Sequence, residues 1–117
     1  MKKIILGASL VFSITFATHT TDCLAHAVDP NQLYGMLCAL CHGANGKPTD
    51  QGIKFGSPDF TDLAWQNSKT DDDLIKSMTE GTDNPNYAPV KPFVQQMLGI
   101  DIDVTTFVPK VRSFKGQ

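Results

Sequence analysis

Two of the three cysteines and one of the three histidines in this 117-residue chain fall within seven positions, Leu37-Cys38-Ala39-Leu40-Cys41-His42-Gly43. Cys38 and Cys41 are spaced so that, on a helical turn, both thiols project from one face, and the imidazole of His42 follows on the next position. This is the C-x-x-C-H pattern of covalent haem c attachment: each thiol adds to one vinyl group of the porphyrin and the histidine ring lies beneath the iron. Two other chemistries use such thiols. A thioredoxin-like dithiol requires a βαβ context, and half of a zinc site requires two more ligands. The chain downstream offers no second cysteine pair. Cys38 and Cys41 are therefore read as haem thioethers and His42 as the proximal iron ligand.

The beginning of the sequence narrows the compartment. Met1-Lys2-Lys3 is a cationic start, Ile4 to Ala17 is an apolar run too short to cross a bilayer, and Ala25-His26-Ala27 offers an A-x-A cleavage site. Residues 1–27 are thus predicted to be a cleaved signal peptide and residues 28–117 the mature domain, exported to the periplasm with no membrane span after cleavage. The competing readings are an uncleaved N-terminal anchor, or an earlier cut after Ala17 that keeps Cys23. Cleavage after Ala27 removes His19 and His26, leaving His42 as the one histidine. Of ten cationic and twelve anionic side chains, eight and eleven then remain. This mildly acidic balance excludes a nucleic-acid binder driven by bulk positive charge. A domain this small often needs a staple, and a large prosthetic group packed into the core is one.

Helical punctuation surrounds the motif. Asp29-Pro30-Asn31 reads as a helix start, with Leu33, Tyr34, Leu37 and Cys41 along one face. Gly43 to Ser57, rich in Gly and poor in apolar residues, predicts a loop passing over the haem edge. A short helix is expected over Asp59 to Trp65, and a capped one from Thr70-Asp71-Asp72-Asp73 to Gly81. Gly81 to Pro92, carrying Asn84, Pro85, Asn86, Pro89 and Pro92, predicts an extended loop. Phe107, Val108, Val111 and Phe114 suggest a last helix, begun late by Thr105 or Thr106 so that Pro109 sits in its first turn. No strand pattern or repeat is present.

From Leu33 to Phe114 the chain resembles a monohaem class I cytochrome c of the small bacterial periplasmic kind. The likeness rests on Leu33-Tyr34 ahead of the haem motif, on Pro58-Asp59-Phe60-Thr61-Asp62-Leu63-Ala64-Trp65, on Asp73-Leu74-Ile75 leading to Gly81, and on Val111-Arg112-Ser113-Phe114. It implies an all-α fold of about three to five helices wrapped around one haem, the first and last helices crossing. It also implies that the Pro58 carbonyl accepts the His42 ring N–H, which would fix the tautomer and strengthen the donor. Trp65 and Tyr87 divide between a propionate hydrogen bond and plain packing.

The sequence departs from the family at the sixth ligand. Where the family carries an axial methionine, the stretch Tyr87-Ala88-Pro89-Val90-Lys91-Pro92-Phe93 places Val90. Met97 reaching back, Lys91 as a neutral amine, or a vacant position are the alternatives; Cys23 is another if it is retained. Met78 is read as core and Met36 as lying on the proximal side. The expected activity is single-electron transfer with transient redox-protein partners, not substrate catalysis. The alternatives are a haem-based binder of NO or CO, or a cytochrome subunit of a redox enzyme complex.

Overall fold

The computed structural model describes residues 28–117; the expected signal peptide and Cys23 lie outside the described residues. Asp29 caps the first helix, its carboxylate accepting from the Asn31 N–H at 2.9 Å, with Pro30 at the first helical position. The chain then runs continuously through α1 (Pro30–Leu33), a π-helical stretch (Tyr34–Cys38) and α2 (Ala39–His42). It stops at Gly43, where φ is 68° and a Cβ would lie 2.2 Å from the Lys47 carbonyl oxygen. Only glycine fits there.

The expected loop from Gly43 to Ser57 contains a short helix, α3 (Asp50–Lys54). Thr49 organises it: its Oγ1 accepts from the Gly52 N–H at 3.1 Å and donates to the Leu40 carbonyl at 2.7 Å, so one side chain both caps α3 and ties it to α2. Glycine content masked this element, because Gly52 is there for approach and not for turning. A Cβ at that position would meet the Cys41 carbonyl oxygen at 2.0 Å.

Further along, α4 (Leu63–Ser68) begins later than expected because Asp62 is its cap, while Asp59 forms a turn by accepting from Thr61. The next element, α5 (Asp71–Glu80), carries the capping box that its sequence announces: Thr70 and Asp73 bond each other reciprocally and Gly81 ends the helix. The extended loop expected through Pro92 is shorter than that reading, since α6 (Val90–Leu98) starts at Val90. Pro92 lies within its first turn, where a backbone N–H has no helical partner to lose. A 3₁₀ turn (Val104–Phe107) then leads into α7 (Val108–Arg112), with Pro109 in the first turn as expected; Thr105 and Thr106 do not cap α7, and the capping side chain is Asp103, ahead of the 3₁₀ turn.

Among the described residues all regular structure is helical. Leu33, Tyr34, Val94, Phe107, Val111 and Phe114 are buried together, and the Tyr34 and Phe114 rings meet at 5.3 Å, joining the N-terminal helix to the chain's last turn. The first and last helical segments are thus packed together, as the resemblance implies. Gln66, 1% exposed, fastens this joint: its amide donates to the carbonyls of Phe60 (2.7 Å) and Val111 (2.9 Å), and its oxygen accepts from Arg112 (2.8 Å).

Candidate functional site

Because α2 ends at His42 and α3 packs against Cys41, the thiols and the imidazole are presented on one wall of a cleft of about 570 Å³. That volume lies within the roughly 300–1,000 Å³ of sites that enclose a cofactor. The other walls are largely apolar. Phe60 and Trp65 stand beside His42, while Met78 of α5 and Val90 and Phe93 of α6 close the cleft from the far part of the sequence.

Burial sets the protonation states. The Cys38 thiol is pushed up to about 11, first by desolvation and then by the neighbouring Cys41, so it is a neutral thiol near pH 7. The His42 imidazole is lowered from its ordinary value by burial, an effect that the Pro58 carbonyl opposes in part, so the ring is neutral and has a free electron pair to donate. Nδ1 of His42 is buried with no partner in ordinary hydrogen-bonding geometry, so the Pro58 contact is looser than the bond the resemblance implies. Desolvation likewise raises the Tyr87 phenol to about 12, and Tyr87 lines the cleft.

The structure brings together Cys38, Cys41, His42, Pro58 and Val90, and leaves the two named distal candidates outside. Met97 is 65% exposed and is not part of the cleft wall. Lys91 is also absent from the wall and pairs with Asp101 at 3.1 Å. Met78, read from its spacing as core, is indeed buried at 8%, but it also faces the cleft. No pattern in the sequence distinguishes those two placements on one helix. Nor do three His, Cys, Asp or Glu side chains cluster elsewhere among the described residues as a metal site would require.

An apolar cleft with a paired-thiol wall and an unpartnered neutral imidazole fits a planar, largely hydrophobic macrocycle with a central metal. Comparison with known proteins agrees. Residues 27–100 match the family described as cytochrome c. The chain belongs to the cytochrome c family. The solved structure of the KustC0563 c-type cytochrome is similar to this cytochrome, with a TM-score of 0.62 and 35% sequence identity, over 75% of this chain and 99% of that one. No curated protein matches it in sequence. The cytochrome is accordingly a monohaem class I c-type cytochrome with an all-α fold and covalent haem c, a haem-based electron-transfer protein. No helix among the described residues is long and apolar enough to cross a membrane.

Proposed function

We propose that this cytochrome is exported, loses residues 1–27, and moves single electrons between larger redox proteins in the periplasm. Cys38 and Cys41 are its thioether residues and His42 its proximal ligand, supported by their placement on one wall of a large, mainly apolar cleft. When bound, haem c supplies an iron that gains or loses one electron with little structural change. The chain's part is to hold that iron and set its energy. Cys38 and Cys41 would anchor the ring by their sulfurs, His42 would donate its unprotonated nitrogen, and the Pro58 carbonyl lies against the same imidazole. The apolar walls lower the local dielectric and keep water away, which tunes the potential. Partners would meet the exposed edge of the cleft through a small, transient interface.

Val90 favours a second reading. Its side chain cannot bind a metal, it lies on the cleft wall, and Met97 and Lys91 do not. A distal face so lined admits a diatomic ligand such as NO or CO. Met78 is the buried thioether that could instead close that face. The absorption spectrum of the reduced holoprotein before and after CO decides between them. An unchanged Soret band means a firmly held sixth ligand and supports a pure electron carrier, with Met78→Leu then expected to open the site; a prompt shift in the wild type supports gas binding.

A further inference from the structure

The aromatic contact on the proximal side is more specific than packing requires. The Phe60 ring lies 4.2 Å from the His42 ring, centroid to centroid, with an angle of 11° between their planes. Such near-parallel overlap leaves the imidazole one free face. Phe60 itself is 7% exposed and is held from three directions: Trp65 at 5.1 Å, Phe114 at 6.4 Å, and the Gln66 amide on its own carbonyl at 2.7 Å. Tyr34, which meets Phe114, donates its hydroxyl to the Gly43 carbonyl at 2.8 Å, immediately after His42. The Phe60 side chain therefore sits in a closed frame that begins and ends at the ligand residue.

We propose that Phe60 is a positioning residue for His42, fixing the plane of its imidazole and favouring the oxidised state of the centre. This rests on the reading of His42 as the proximal ligand. Rotation of the imidazole about its Cβ–Cγ bond drives an edge into the Phe60 face, and Phe60 has no room to retreat. Nδ1 is thereby held in its buried position. The electronic consequence has a sign. An imidazole bound to the ferric centre carries more positive character than one bound to the ferrous centre, and the negative face of a phenyl ring stabilises positive charge stacked on it. Removing that face favours the ferrous state.

The test uses the holoprotein with Phe60→Leu and Phe60→Met, which keep an apolar side chain but no ring, and Phe114→Leu, which loosens the same aromatic cluster without touching His42. Two quantities are read: the reduction potential, and the spread of the haem methyl resonances in the ferric proton NMR spectrum, which reports the ligand plane. Both Phe60 variants are expected to shift the ferric–ferrous equilibrium roughly two- to tenfold toward ferrous, a rise of about 18–59 mV for one electron. They should also change the methyl spread, while Phe114→Leu lowers stability and leaves both quantities in place. If both Phe60 variants keep the wild-type potential and spread, or if Phe114→Leu moves them equally, Phe60 has no positioning role. If the wild type itself lacks the signature of axial imidazole, the ligand assignment fails first.

Discussion

Substituting Gln66 offers the most direct check on how the last helix is held. Its side chain makes three bonds at a site 1% exposed, two from its amide to the Phe60 and Val111 carbonyls and one from Arg112 to its oxygen. In Gln66→Leu the volume is nearly kept but the partners are not. Arg112 retains its bonds to the Gln66 and Lys69 carbonyls and to Asp71, so its loss is partial. The Val111 carbonyl keeps only the long contact from the Phe114 N–H at 3.4 Å and the Phe60 carbonyl loses its side-chain donor; a buried acceptor left bare costs about 1–3 kcal/mol. Allowing for the added apolar burial, the cost should be about 3 kcal/mol, a large share of the 5–15 kcal/mol typical of a domain. Guanidinium unfolding of the holoprotein, followed by far-ultraviolet circular dichroism, should show a lower midpoint at unchanged slope. Gln66→Glu separates donors from shape: it keeps the Arg112 partner but sets carboxylate oxygens against two carbonyls, and should be at least as damaging at neutral pH. A loss below about 1 kcal/mol in both variants would refute the claim that this amide bridges the two halves.

Other outcomes follow from the same geometry. Gly52→Ala, which helix propensity alone would favour by about 1 kcal/mol, should instead destabilise, because its Cβ falls 2.0 Å from the Cys41 carbonyl oxygen; reduced thermal stability and poorer haem incorporation would show it. Tyr87 has its phenol raised from 10.0 to about 12 by burial, so the unfolded chain releases that proton first; stability should be complete below pH 10 and fall as the pH rises toward 12, and Tyr87→Phe should flatten that decline in an alkaline unfolding series. Met97→Leu and Lys91→Ala, changed outside the cleft wall, should leave the visible spectrum of the holoprotein untouched, with at most about 1 kcal/mol lost from the exposed Lys91–Asp101 pair.

What could be read from the sequence was what short-range chemistry dictates. Asp29-Pro30 and the Thr70–Asp73 box need only neighbouring residues to cap a helix, so both helix starts were legible. The attachment motif was legible because its chemistry depends on spacing within one turn. α3 was hidden because Gly52 answers to Cys41, eleven positions away and visible only once the chain turns back. α6 was hidden because prolines at 89 and 92 suggest an extended loop, whereas one precedes the helix and the other sits in its first turn. The same blindness affected the distal candidates. Composition cannot show that Lys91 is engaged by Asp101, or that Met97 faces outward while Met78 faces the cleft.

The order in which the cleft walls appear along the chain bears on how the centre can be assembled. Cys38 and Cys41 stand near the start of the described residues, whereas Val111, a lining residue, and Phe114, which clamps Tyr34, come at their end. The bonds from Gln66 to Val111 and Arg112 span 45 and 46 positions, so they cannot form until the C-terminal end of the chain is present. A chain threading through a translocation pore with its N-terminus leading would present both thiols well before the walls that later enclose them. In such a chain the thiols would stand open to attachment before the cleft exists. Folding would then act as the seal over the bonded ring, since Val111 and Phe114 complete the enclosure from the other end of the described residues.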